Sequence, residues 1–258
     1  MSDFLDILAA DAKKTVLEGY YQVDSETRHS GLSLRRAIEE CLMNAVISEI
    51  KKVSPSLGSI RARIDPAVIA LEMVAGGATG ISVLTEPVHF KGDLNSIRRA
   101  REAAKAPILM KDIIVDPAQV EAASRTGADV ILLIKAIFDR GHSLYDLDEM
   151  ITLAHGKGLE VLLEANTDHE FRGALQSDAD LIGINNRNLK TLEVDLGVTE
   201  RILEGHDLED KVIISESGIK TPQDLLRMKE TGARAFLIGS ALMQTENIRE
   251  EVRRFVQA

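Results

Sequence analysis

From Ala45 onward the chain repeats one pattern eight times: a short apolar run followed by an amphipathic stretch of about ten to fifteen residues. The runs predict strands at 46–51, 80–85, 108–111, 130–134, 161–164, 181–185, 212–216 and 235–238. Helix openings are marked between them by Asp65-Pro66, Asp93, Asp116-Pro117, Ser143, Thr167 and Thr221-Pro222, because a capping oxygen satisfies the first free N–H groups and Pro at N1 loses no hydrogen bond. Strand and helix in strict alternation imply parallel strands with right-handed crossovers. Eight such units in roughly 210 residues fit a closed (β/α)8 TIM barrel better than an open doubly wound sheet. The open sheet would call for a G-x-G-x-x-G turn after its first strand, and Ser54-Pro55-Ser56-Leu57-Gly58 is not one.

A weak internal repeat supports the same reading. Helix-to-strand joints at Gly77-Ala78, Gly127-Ala128, Asp178-Ala179 and Gly232-Ala233 place an Ala about every 50 residues, twice the length of one unit. Gly suits such a joint because it takes the left-handed conformation that ends a helix.

The first forty-odd residues read differently. Phe4, Leu5, Ile7, Leu8, Val16 and Leu17 recur at helical spacing behind a candidate N-cap, Asp3. A polar stretch, 25–31, leads to a second helical pattern over 32–41. The expected organisation is a single barrel domain over 1–258, of which 1–44 is an N-terminal helical extension.

Composition narrows the function. A formal charge of −10, 3% aromatic residues and no Trp oppose binding to nucleic acid, which wants positive charge and stacking surfaces. No apolar run approaches the roughly 18 residues needed to span a bilayer, so no membrane association is expected. The single Cys41 allows no internal disulfide, and MSDFLDILAADAKK lacks the basic-then-apolar layout of a signal peptide, so a reduced, cytoplasmic setting is expected. No metal-ligand spacing joins Cys41 and the six His residues, and neither metal nor cofactor is expected. An anionic ligand would need a local cluster of positive groups working against the overall field.

Such a cluster is written into the strand ends. In the first run Ile47, Glu49 and Lys51 share one face, since side chains alternate along a strand. Lys111, Glu164, Asn185 and Glu216 end later strands, and Leu109, Leu162 and Ile214 two positions earlier put the charged ones on an apolar face. In a (β/α)8 barrel the active site is built at the carboxyl ends of the strands, so polar residues recurring there read as catalytic rather than as tethered surface charge. Lys51, Lys111 and Arg187 supply positive charge. A partly desolvated Lys can have its pKa lowered to act as an acid, and a buried Glu can be raised to act as a base. Small residues after the last two strands, Ser217-Gly218 and Gly239-Ser240, let backbone N–H groups approach an anion such as phosphate, and Ser54 and Ser56 could close the same site from the neighbouring first strand.

The segments SEIKKVSPSLG, LTEPVHFKGDL, ILMKDIIVDP, LIGINNRNLKTLEVD, SESGI and FLIGSALM together resemble the indole-3-glycerol-phosphate synthase family, and the resemblance covers almost the whole chain. EIKKxSPSxG and GINNRNL are its specific parts; IGSALM alone suits several phosphate-binding barrels. The resemblance implies conversion of 1-(2-carboxyphenylamino)-1-deoxyribulose 5-phosphate to indole-3-glycerol phosphate, CO2 and water without metal or organic cofactor. Its partner is thus a small anionic phosphate substrate, with the chain a monomer or weak homo-oligomer. It further implies Lys111 as general acid, Glu164 as base, and Lys51 as the group that holds the substrate carboxylate and assists dehydration. Glu49, Asn185 and Glu216 match pocket positions with Arg187 in support, and Ser54, Ser217, Gly218, Gly239 and Ser240 match the phosphate site.

The chain departs from the family at four places. Leu57 stands where many members have Lys, Ile113 where an aromatic is common, and Ala165-Asn166 where Val-His is frequent. Lys135 sits where an apolar residue is more usual and is expected to lie solvated outside the site. Other readings remain open on the residues alone: a phosphoribosylanthranilate isomerase, a Schiff-base aldolase using Lys111, or a phosphate-ligand binder without turnover.

Overall fold

The strands form where the sequence is apolar on both faces. In the computed structural model, which describes residues 3–24, 27, 30–54, 58–59, 64–208 and 210–258, the barrel strands are β1 (Ala45–Ile50), β2 (Gly80–Leu84), β3 (Ile108–Lys111), β4 (Val130–Ile134), β5 (Glu160–Ala165), β6 (Leu181–Asn185), β7 (Val212–Glu216) and β8 (Ala235–Ile238). All pair in parallel with their sequence neighbours, and β8 closes on β1, with Ala45 opposite Ala235 and Ser48 opposite Ile238. Each predicted strand is present: β3, β4, β6, β7 and β8 keep the predicted bounds, and β1, β2 and β5 differ by one residue at one or both ends. The expected (β/α)8 TIM barrel is the fold observed.

The alternation of side chains divides the core in two. Val46, Ile81, Met110, Leu133, Leu163, Ile182, Ile213 and Phe236 point outward into the helical jacket, against Ile69, Ile97, Val120, Ile151, Phe171, Ile202, Leu225 and Val252. Ile47, Leu109, Leu132, Leu162, Leu181, Ile214 and Leu237 fill the interior. Fully burying each such side chain contributes about 1.5–3 kcal/mol, so the barrel is a packed plug rather than a pore.

Helix starts follow their caps. Asp3, Asp65, Asp116, Thr167 and Thr221 each accept a backbone N–H in the first turn of the helix they open. Two predicted starts are corrected. After β2 the helix is Asn95–Ala103, and Asp93 instead accepts from Asn95 N at 3.0 Å in the turn before it. After β4 a short helix, Lys135–Asp139, follows the strand directly, and the longer helix Leu147–Gly156 is capped by Asp146 rather than opened at Ser143. Of the four repeated joints, Gly77, Gly127 and Gly232 have φ of 100°, 92° and 104°, whereas Asp178 is not left-handed. There Ser177 Oγ accepts from Ala179 N at 3.3 Å and holds the turn.

The N-terminal extension closes the barrel at both ends. Helix Leu34–Glu39 lies under the amino ends of the strands, where Glu160, the first residue of β5, accepts from Ser33 Oγ, from Leu34 N at 2.7 Å and from Arg35 N at 3.2 Å. Leu34 fills the space over Gly80, where an added Cβ would meet its Cδ1 at 2.6 Å. Helix Phe4–Leu17 covers the opposite end, through Arg140 to Asp3 and Asp6 at 2.9 and 3.0 Å, His142 to Asp6 at 2.9 Å, and His89 to Asp11 at 2.8 Å. No helix among the described residues is long and apolar enough to cross a membrane.

Candidate active site

The last inward position on most strands is polar, and these positions surround one cavity of about 410 Å³ at the carboxyl end of the barrel. Glu49, Lys51, Lys111, Glu164, Asn185, Arg187, Glu216, Ser217, Gly218, Gly239 and Ser240 all line it. Ser54 is described by its backbone alone, in a two-residue ladder of Val53–Ser54 with Gly58–Ser59; Ser56 and Leu57 lie outside the described residues.

The charges are arranged as two lysine–carboxylate groups. Lys51 Nζ is 2.7 Å from Glu49 Oε1. Lys111 Nζ is 2.7 Å from Glu216 Oε2 and 3.4 Å from Glu164 Oε2, and Glu164 Oε1 accepts from Asn185 Nδ2 at 2.9 Å. Asn185 Oδ1 in turn accepts from Arg187 N at 2.9 Å, while the Arg187 guanidinium donates to Leu192 O at 2.9 Å. Three carboxylates, each almost wholly buried, and three cations therefore meet around this cavity.

That crowding decides the proton affinities. Burial pulls the Lys111 ammonium towards the neutral form, but Glu216, Glu164 and Glu49 outweigh it and hold its pKa above the ordinary lysine value. The expectation of a depressed lysine is thus corrected: Lys111 stays charged because two carboxylates from other strands reach it. Burial pushes the Glu216 carboxyl up to about 7 against the pull of Lys111, with Glu164 adding to the rise. Burial also works to raise Glu49, but Lys51 and then Lys111 reverse the sign and keep it below the usual carboxylate range. Burial lowers the Arg187 guanidinium, which remains a cation because its starting value is so high.

Two glycines make room for these carboxylates. A Cβ on Gly183, the inward residue of β6 below Asn185, would lie 2.1 Å from Glu216 Oε1, and one on Gly239 would lie 2.4 Å from Glu49 Oε1. Glu216 Oε1 is itself buried and accepts no hydrogen bond from the described residues.

Immediately after Glu216 the backbone turns sharply. Ser217 has φ of 65° and Gly218 of 87°, and both belong to the left-handed region that a non-glycine residue enters only under constraint. The constraint is Asn186, fully buried: its Nδ2 donates to Ser215 Oγ, Glu216 O and Ser217 O at 3.0, 3.0 and 3.1 Å, and its Oδ1 accepts from Thr199 N at 3.1 Å and Thr199 Oγ1 at 2.8 Å. Asn186→Ala is expected to cost about 2–4 kcal/mol of stability, since it strands several buried polar groups at once. Urea unfolding checks it; a loss below about 1 kcal/mol would mean that the turn holds itself.

Residues that carried no sequence-based role also build the site. Phe4, Leu8, Phe90, Leu189, Leu192 and Val194 give it apolar walls, and Glu86 shapes the loop that presents Phe90 by accepting from the N–H groups of Val88, His89 and Phe90 at 2.8, 2.7 and 2.9 Å. Phe90, Leu189 and Leu192 lie in the loops that follow β2 and β6, where no strand parity reveals them. Ile113 lines the cavity, while Asn166 donates to Asn185 O at 2.6 Å and Arg187 O at 3.2 Å, tying two loops together. Lys135 lies outside the cavity as expected, but packs over Gly173 and pairs with Asp139 rather than standing in solvent. Among the described residues no three His, Cys, Asp or Glu side chains gather as a metal site, and His89, His142, His155 and His206 each face a single Asp.

The arrangement can donate a proton from a fixed ammonium, accept one on a carboxylate, and hold anionic groups in a cleft with apolar walls. The family model for indole-3-glycerol phosphate synthase matches residues 6–255. A protein of that description from Rhodospirillum rubrum is 44% identical over 213 residues, covering 82% of this chain and 79% of its own. The Oceanobacillus iheyensis protein is 40% identical over 220 residues, covering 85% and 82%, and one from Bacillus cereus strain G9842 is 38% identical over 249 residues, covering 96% of each. Among solved structures, thiamine phosphate pyrophosphorylase from Pyrococcus furiosus superposes with a TM-score of 0.60 at 17% identity, covering 86% of this chain and 96% of its own, a likeness of fold alone.

Proposed function

The chain belongs to the indole-3-glycerol phosphate synthase family, and from that premise we propose how its own side chains divide the work. It is a carboxy-lyase of tryptophan biosynthesis: it closes the ring of 1-(2-carboxyphenylamino)-1-deoxyribulose 5-phosphate and releases CO2 and water to form indole-3-glycerol phosphate. The ring carbon bearing the carboxylate attacks the ribulose carbonyl, whose oxygen takes a proton. The bond to the carboxylate then breaks, its electron pair restores the aromatic ring, and CO2 leaves. Finally the new hydroxyl departs as water while a carboxylate removes the proton that completes the indole double bond.

The observation that carries the assignment is the placing of Lys111 Nζ between the buried carboxylates of Glu216 and Glu164 at the wall of the cavity. A charged ammonium there donates to the carbonyl oxygen and stabilises the alkoxide as it forms. Glu164, fixed by Asn185, acts as the base. Lys51, held by Glu49, binds the substrate carboxylate and assists loss of water. Arg187 supports that pocket, and the phosphate sits against the backbone of Ser217-Gly218 and Gly239-Ser240, with Ser54 closing its edge. Glu216, 2.7 Å from Lys111, carries a proton in the free site below about pH 7 and can return it to the spent amine. A cytoplasmic setting accords with a chain whose single Cys41 needs no partner.

The test is the pH dependence of kcat/KM, read from indole fluorescence. The raised Glu216 carboxyl favours its proton-bound form in the fold, and that contribution is present at low pH and lost as pH rises through about 7. Ionised Glu216 would also repel a substrate bearing phosphate and carboxylate. kcat/KM is therefore expected to fall above about pH 7, by up to tenfold per unit, and the limb should vanish in Glu216→Gln. An alkaline limb unchanged in that variant would assign it to another group.

A further inference from the structure

Lys111 is the last residue of a four-residue strand, so what fixes its backbone is not the strand alone. Its carbonyl accepts from Thr85 N at 3.1 Å. The next residue, Asp112, is buried, and its carboxylate accepts from three donors: Thr85 Oγ1, Ile113 N at 2.7 Å and Tyr21 Oη at 2.9 Å. Tyr20 Oη donates to Thr85 O at 3.0 Å and accepts from Leu94 N at 3.2 Å. The two rings pack edge to face, with centroids 4.9 Å apart. Both hydroxyls belong to the link between the two helices of the N-terminal extension, outside the barrel strands.

We propose that Tyr21, seconded by Tyr20, is a positioning residue for Lys111: the extension clamps the peptide between Lys111 and Asp112 and so sets where the ammonium stands. The proposal rests on Lys111 being the acid of the reaction. A residue serving only to fill space here would be Phe, because burying a hydroxyl costs free energy that is recovered only through a hydrogen bond. Tyr21 is only 4% exposed, and burial pushes its hydroxyl well above the ordinary tyrosine value, which keeps it a donor to Asp112. Asp112 needs that donor, since burial raises its carboxyl to about 6 and each hydrogen bond works to keep it charged and seated. With the clamp open, the loop 112–116 gains freedom at the residue that follows the acid. A displacement of about 1 Å at a reacting group can cost up to a hundredfold in rate, and a clamp that is loosened rather than lost should cost less.

The experiment compares wild type, Tyr21→Phe, Asp112→Asn and Lys111→Ala with the anilino-deoxyribulose phosphate substrate, recording kcat, KM and melting temperature. Tyr21→Phe is expected to lower kcat about tenfold while KM stays within about twofold, because the group it moves acts in the transition state rather than in binding. Asp112→Asn, which keeps the shape but weakens the acceptor, should reproduce that split, and it carries the test if Tyr21→Phe does not fold. Unchanged kcat with a lowered melting temperature would make the clamp a structural contact and overturn the proposal, as would a rise in KM with kcat intact. Lys111→Ala separates the two readings. If it retains activity, the assignment of the acid has failed; if it is inactive while Tyr21→Phe and Asp112→Asn turn over normally, only the clamp has failed.

Discussion

Lys111→Ala should lower kcat by about a thousandfold or more and change KM by less than about threefold, because general acid catalysis contributes in the transition state and little in the ground state. The removed ammonium is the shared partner of Glu216 and Glu164, at 2.7 and 3.4 Å. Left without it, Glu216, whose carboxyl burial already raises, keeps its proton rather than stand as an unpaired charge, so the barrel should fold while the chemistry is lost. Lys111→Met, which keeps most of the volume, should behave in the same way. Steady-state indole fluorescence decides the matter: a large rise in KM with kcat preserved would make Lys111 a binding group and move the acid elsewhere.

The second large effect is expected from the smallest change. Gly183→Ala adds one methyl group that would stand 2.1 Å from Glu216 Oε1 and 3.4 Å from Leu162 Cδ1. The carboxylate is the mobile partner, so it must swing away, and Lys111 must follow it or lose its closest contact. A shift on the order of 1 Å at this point predicts a loss of about a hundredfold in kcat, with the β6 backbone and the fold retained. Gly156→Ala, which meets nothing within 4 Å, is the control for the substitution itself. Activity within about twofold of wild type for Gly183→Ala would mean that Glu216 has room to move without disturbing Lys111.

Much of this was open to a reader of the chain alone. The barrel strands were legible because parallel strands buried on both faces appear as compact apolar runs, and because Asp65, Asp116, Thr167 and Thr221 cap their helices by local chemistry. Where the cue was ambiguous the local reading slipped. Asp93 makes a turn two residues ahead of the first residue of its helix, Asn95, and Ser143 lies in a segment whose cap is Asp146. The strand-end residues were legible for a similar reason: period-two alternation fixes which face Glu49, Lys111, Glu164 and Glu216 occupy, given only that the face with Ile47, Leu109, Leu162 and Ile214 is the inner one.

By itself, then, the sequence determined the order of elements, the closure into a barrel and the face on which each charge stands, because these depend on periodicity and caps within a few residues. Only the tertiary structure decided which charges meet. That Lys111 is held protonated by carboxylates from β5 and β7, that Gly183 leaves the space Glu216 occupies, and that Tyr21 reaches Asp112 from outside the barrel are all contacts between segments 33 to 105 residues apart. The sign of a pKa shift follows from distances of a few ångströms between such segments, and no local pattern encodes those distances.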